Sequence, residues 1–205
     1  MQDWKRIFGI IWTGQLISTL SSSIVGYAVV FWLSIETKSA GVLALATIAA
    51  LLPQMITGPF SGVFVDRWDR KRTMILADIF IAACTLIMAL MFLKNNVHIS
   101  FIYLLLAMRS LGSSFHVPAM QASVPLLAPE SELMRVSGIN QIIQSVSVIA
   151  GPALAALLIT ALDMIWVLMI DVAGALIAIT SLLIVHIPNP ARAENETKPN
   201  VLKEL

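Results

Sequence analysis

Six long, nearly uncharged apolar runs dominate this chain, at residues 7–33, 40–65, 73–93, 99–127, 133–162 and 164–187. Each reaches the ~20 mostly apolar residues that carry a helix across a bilayer, some with room for tilt. The composition agrees. Of 205 residues 58% are apolar and 12% charged, whereas a soluble domain averages ~45–50% and ~25%. A soluble enzyme, a disordered chain and a coiled coil are excluded. The sequence predicts an all-α membrane protein with six transmembrane helices. The first run follows Lys5-Arg6, as in a signal peptide, but it far exceeds a ~7–15-residue signal core and no A-x-A site follows, so it reads as a retained helix. Lys and Arg number 13 against 12 Asp and Glu, so nothing suggests a nucleic-acid partner. The single Cys84 cannot form an internal disulfide.

Basic residues fall unevenly about the joints. Even-numbered joints and both termini hold ten: Lys5, Arg6, Arg67, Arg70, Lys71, Arg72, Arg135, Arg192, Lys198 and Lys203. Odd joints hold only Lys38 and Lys94. The positive-inside rule therefore predicts that both termini are cytoplasmic. Residues 188–205 have little to bury and read as a polar cytoplasmic linker after a transmembrane domain of residues 1–187.

An internal repeat is visible. Gly58-Pro59 returns as Gly151-Pro152 and Asp78 as Asp171, both 93 residues later. Residues 19–23 echo residues 110–114 at an offset of 91. Gly-Pro pairs are frequent in membrane helices, so the repeat rests on the shared offset. The copies would span about 7–93 and 99–187. Three helices per copy is an odd number, so the copies must be inverted in the membrane, a known construction of secondary transporters.

The second joint reads Gly62-Val-Phe-Val-Asp66-Arg67-Trp-Asp-Arg70-Lys71-Arg72. It resembles the major facilitator superfamily signature G-x-x-x-D-R-x-x-R-K between helices 2 and 3. Helix 5 carries Gly138, Ser147, Gly151-Pro152 and Ala155-Ala156. This is similar to the family's antiporter motif, with Ser147, Ala155 and Ala156 standing where the motif has glycine. Helix 4 offers Leu105-x-x-x-Arg109-x-x-Gly112, whose glycine comes one place early. Together with Trp12-x-Gly14-Gln15, Arg109-Ser110-x-Gly112-x-x-Phe115-His116-x-Pro118-Ala119 and Asp171-Val-x-Gly174-Ala175, these stretches look like the macrolide-efflux branch of drug exporters. The resemblance implies the N-terminal six-helix half of a twelve-helix exporter in a bacterial inner membrane. It implies small amphipathic drugs and protons as partners, and antibiotic resistance as a role.

In the gate motif, Gly62 would admit a second helix closely. Asp66 would face that helix's positive end, with Arg67 and Arg70 holding Asp66 and nearby carbonyls. In the family that partner helix lies in the other half. The alternative is a basic loop that only fixes topology. Within the spans, Arg109 is the costliest residue, at roughly 2.5–3.5 kcal/mol for a charge at a helix centre. It lies roughly 15 Å below the outer end of helix 4, and Asp171 roughly 10 Å below that of helix 6, at 1.5 Å per residue. The two are candidate partners, either as a structural ion pair or as the place of proton exchange, by the pair or by Asp171 alone. Asp78 is expected to brace the basic joint. Gln15, Ser18, Ser22 and Gly26 form a polar stripe on helix 1, and Arg109, Ser113, His116 and Met120 form another on helix 4. They would either pack small residues or line a substrate cavity, with Phe115, Met108 and Met120 adding soft contacts.

No cofactor or metal site is expected: His98 and His186 lack ligand-spaced neighbours. No P-loop is present. An intramembrane enzyme is disfavoured, because Asp78 and Asp171 lie near opposite faces and neither H-E-x-x-H nor G-x-S-x-G occurs. A channel is disfavoured too, for want of a re-entrant segment or charged ring. The reading is therefore a secondary exporter half that needs its missing C-terminal half. The alternatives are a half-size protein that pairs with a second copy, and a truncated inactive fragment.

Overall fold

A computed structural model describes residues 4–185. The expected linker at 188–205, His186 and the end of the sixth run lie outside the described residues. The helices are α1 (Trp4–Thr37), α2 (Ala40–Arg67), α3 (Arg70–Leu93), α4 (Ile99–Leu127), α5 (Leu133–Ala161) and α6 (Met164–Ile184), with one 3₁₀ turn, Glu130–Glu132, before α5. No strand occurs among the described residues. All six expected spans are present. By length and composition α1, α2, α3, α5 and α6 are apolar enough to cross a membrane. The 29-residue α4 is long enough, but Arg109, His116 and a run of serines make it less apolar. With 34 residues, α1 is about 51 Å long, well beyond a ~30 Å hydrocarbon core.

The joints are tight for identifiable reasons. Lys38 and Asn95 both take φ 50°, the left-handed turn conformation that ends a helix within one residue. The Ser39 hydroxyl accepts from the Val42 N–H and caps α2. The Asp69 carboxylate accepts from the Arg72 N–H at 2.9 Å and caps α3. Pro53 interrupts the backbone ladder of α2, and the Gln54 N–H beside it donates to Ser110 Oγ of α4 at 3.1 Å. A neighbouring helix thus satisfies a polar group next to an intramembrane proline.

Extensive packing runs in the order α2, α4, α3, α6, α1, α5. Exchanging the first three helices for the last three reproduces this order. Thus α2 on α4 matches α5 on α1, and α4 on α3 matches α1 on α6, with α3 on α6 at the centre. The repeat extends to individual contacts. On the α1–α6 seam a side chain at Gly174 would sit 3.1 Å from Ser21 Cβ. On the α3–α4 seam one at Gly112 would sit 2.7 Å from Ile81 Cγ1. Ser21 and Gly112 are 91 residues apart, and Ile81 and Gly174 are 93 apart, the offsets of the sequence repeat. The same crossing is therefore built twice, with a glycine on opposite partners, because only one side chain fits between such close backbones.

Two apolar clusters fill the bundle. One gathers Val25, Val29, Leu33, Met88, Leu106 and Leu168. The other gathers Ile11, Trp12, Met74, Met120, Ile143 and Leu182. Between their levels on α3 and α4 lie the buried charged residues Asp78 and Arg109.

Candidate functional site

The α3–α4 seam carries two polar layers. Asp78 and Thr85 are seven residues apart on α3, and Arg109 and His116 are seven apart on antiparallel α4. Seven residues are two turns, about 10 Å. In one layer Arg109 Nη1 donates to Asp171 Oδ2 of α6 at 2.5 Å. Thr85 Oγ1 donates to the same oxygen at 2.6 Å. The other guanidinium nitrogen reaches Ser22 Oγ and Ser22 O at 3.0 and 3.2 Å. Asp171 is 1% exposed and Arg109 is 7% exposed in their side chains. The pairing expected from depth is present, as a hydrogen-bonded buried ion pair of the kind that tolerates burial.

In the other layer His116 Nε2 lies 3.3 Å from Asp78 Oδ1. Ser18 Oγ of α1 donates to that oxygen at 3.5 Å. The His116 contact lacks hydrogen-bond geometry, and Asp78 Oδ2 has no hydrogen-bond partner among the described residues. Asp78 thus turns inward to Ser18 and His116, which corrects the expectation that it braces the basic joint. Seven residues, about 10 Å along α3, separate it from Lys71 of that joint, so it meets the α1 and α4 side chains at its own level instead. Ile81 and Gly112 meet between the layers.

An open cavity of about 340 Å³ adjoins both layers. Drug-sized sites occupy ~300–1,000 Å³. Ser18, Ser22 and Gly26 from α1 and Arg109, Ser113 and His116 from α4 line it, as the two stripes predicted. Asp78 and Ile81 come from α3, Ala50, Leu51 and Gln54 from α2, and Gln144, Ser147 and Val148 from α5. Four expected residues lie elsewhere. Gln15 is fully buried with neither amide atom hydrogen-bonded among the described residues. Met120 packs in the second apolar cluster, one turn beyond the cavity. Phe115 points to another side of α4 and stacks on Trp68 at 6.0 Å. Met108 packs against the first cluster.

Around the second joint, Asp66 and Arg67 are exposed. Lys71 Nζ donates to the Val185 carbonyl at 2.6 Å, tying the start of α3 to the end of α6. Arg70 Nε is buried and has no hydrogen-bond partner among the described residues. Among the described residues a side chain at Gly62 would meet no atom within 4 Å, so none of the six described helices occupies the approach that the glycine permits. On α5, Ser147, Gly151 and Ala155 form one buried face at four-residue spacing. Ser23 Oγ of α1 donates to the Ser147 carbonyl at 2.7 Å, and a side chain at Gly151 would sit 3.2 Å from Ser23 Cβ. Pro152 is half-buried beside that face, while Gly138 and Ala156 are exposed. Half of the motif therefore packs α5 on α1.

Sequence reasoning missed Thr85, Gln54 and Gln144. Thr85 was findable, two turns from Asp78 on one face. Gln54 is flagged only by the proline before it. Also unforeseen is the buried hydrogen bond from Trp12 Nε1 to Asn140 Oδ1, which joins α1 to α5.

Residues 11–204 match the family model for the Major Facilitator Superfamily. Over 203 residues the chain is 39% identical to Macrolide efflux protein A of Streptococcus pyogenes, covering 99% of this chain and 50% of that protein. It is also 39% identical over 167 residues to Macrolide efflux protein A of Enterococcus faecalis, covering 82% of this chain and 51% of the relative. The chain thus spans about half the length of the curated relatives it matches. Its fold matches the crystal structure of a bacterial homolog of the human lysosomal transporter Spinster, with TM-score 0.67 and 12% identity, over 99% of this chain and 47% of that one.

Proposed function

We propose that this chain, which belongs to the Major Facilitator Superfamily, is the N-terminal six-helix half of a secondary transporter that exports macrolide-like or other amphipathic drugs in exchange for protons. The observation that carries this reading is the cavity. It mixes hydroxyls of Ser18, Ser22 and Ser113 with the apolar Ala50, Leu51 and Val148, a lining that suits ligands with polar and apolar faces. It is open, and α2 and α5, both lining it, stand at the two ends of the packing order. A second six-helix body would cover that side and enlarge the site. α2 offers exposed Leu45, Ile48, Met55 and Ile56, and α5 offers Ile142, Ile149 and Leu157. Extensive similarity to proteins called Macrolide efflux protein A supports the substrate class. Membership of a transporter family argues against an enzyme.

In this reading both termini are cytoplasmic and the protein sits in a bacterial inner membrane. Gly62 keeps a groove for a helix of the other half, beside which Asp66 and Arg67 form a gate contact. A second copy of this chain could supply the same partner, and a truncated fragment would be inactive. The test is drug accumulation. Bacteria making the complete transporter should hold several-fold less radiolabelled erythromycin than bacteria without it, and a protonophore should abolish the difference. Equal accumulation contradicts the reading. If this chain alone lowers accumulation, the self-pairing alternative replaces the two-half one.

A further inference from the structure

Asp78 and Asp171 are 93 residues apart, and Ser18 and Arg109 are 91 apart. These are the offsets that superpose the two repeats. The Ser18–Asp78 contact is therefore the counterpart of the Arg109–Asp171 contact. One fold places a carboxylate of its third helix against its first helix twice. In the second repeat the facing residue is a guanidinium, and Asp171 Oδ2 accepts from both Arg109 and Thr85. In the first repeat the facing residue is a serine, and the nearest basic group is His116, from the other repeat.

The two carboxylates differ in access as well. Asp78 lines the cavity, whereas Asp171 lies behind Arg109 and does not. Asp78 is 3% exposed, and its Oδ2 has no hydrogen-bond partner among the described residues. A carboxylate in lipid-embedded protein needs either a cation or a proton. Asp171 has the cation. Among the described residues, the other titratable groups at the cavity are Arg109 and Tyr27. Arg109 is committed to Asp171, while α2 and α5 contribute the neutral Gln54 and Gln144.

We infer that the Asp78–His116 pair is the proton-exchange site of this transporter, and that Arg109–Asp171 is a fixed structural pair. A proton taken from water on one side of the membrane is held between Asp78 and His116. It is returned to water on the other side, with the drug moving the opposite way. Only an O–H or N–H bond forms and breaks. This inference rests on the proton-antiport reading above and names the site within it.

The experiment uses everted membrane vesicles containing the complete transporter and radiolabelled erythromycin. Two readouts are compared: uphill uptake driven by a pH gradient, and drug–drug exchange without a gradient. Asp78→Asn should lose uphill uptake while drug–drug exchange, lowered by the changed cavity wall, persists. Asp78→Glu should restore uphill uptake. His116→Asn should diminish uphill uptake more than it diminishes exchange. Uphill uptake that survives Asp78→Asn overturns the inference. Loss of exchange and uphill uptake together, at normal abundance, overturns it in favour of a drug contact. If Asp78→Asn fails to reach the membrane, His116→Asn decides by the same two readouts, and loss of both variants assigns the pair to the fold. If the unaltered protein shows no gradient-driven uptake, the antiport reading fails instead.

Discussion

Asp171 meets the Arg109 guanidinium at 2.5 Å, while Asp78, its counterpart in the first repeat, meets the Ser18 hydroxyl at 3.5 Å. An inverted repeat gives both carboxylates the same setting on a third helix facing a first helix. The difference between them lies in the residue on that facing helix, Arg109 or Ser18, and in a neighbour from the other repeat, Thr85 beside Asp171 and His116 beside Asp78. They separate a carboxylate held behind Arg109, outside the cavity lining, from a carboxylate and a histidine that both line it.

The Arg109–Asp171 pair should behave as a unit. Removing one partner of a buried ion pair costs ~3–5 kcal/mol, while removing both can be nearly neutral. Asp171→Asn and Arg109→Gln should each lower abundance in the membrane, and the double variant should recover it. Quantitative immunoblotting checks this. Two losses that simply add would mean that the residues do not interact.

The glycines should separate by what stands opposite them. Gly112→Val drives a side chain toward Ile81 Cγ1, which lies only 2.7 Å from the added Cβ. Overpacking of this kind costs ~1–3 kcal/mol, and combining it with Ile81→Ala should restore part of the loss. Gly62→Ala meets open space and should leave stability unchanged in this chain. Thermal unfolding in detergent reads both. Equal sensitivity at the two positions would contradict the α3–α4 seam.

Asp66 is exposed at the end of α2, so Asp66→Asn should leave insertion and abundance near normal. In the complete transporter it should slow export about fivefold, the effect of a ~1 kcal/mol contact with a helix terminus. An unchanged export rate, or disappearance of the protein, would remove the gate role.

Topology has its own check. A membrane-impermeant maleimide added to intact cells should label a cysteine placed at Asn95 and spare one placed at Asp69. The reverse pattern would invert the orientation and contradict export from the cytoplasm.

The six helices were legible because lipid demands long apolar runs, and the repeat because glycines, prolines and buried carboxylates survive at fixed offsets. The Arg109–Asp171 pair followed from depth along two helices. Asp78 did not, because its depth alone could not say which face of α3 it occupies. That face is fixed by the α3–α4 crossing at Ile81 and Gly112. The helix 1 and helix 4 stripes predicted much of the cavity, but a stripe gives a face and not a floor. Gln15 and Met120 lie beyond the cavity. Contributions from α2 and α5 were invisible because Gln54 and Gln144 look like ordinary polar residues until the helices pack.

The central claim is that drug and protons move in opposite directions through the transporter of which this chain forms half. The most direct measurement is proton movement in everted vesicles with an acidified lumen, followed by a pH-sensitive dye as erythromycin is added. The account predicts a macrolide-dependent rise in luminal pH that is present with the unaltered transporter and absent from vesicles lacking it. Accumulation of the drug with no change in luminal pH would contradict it.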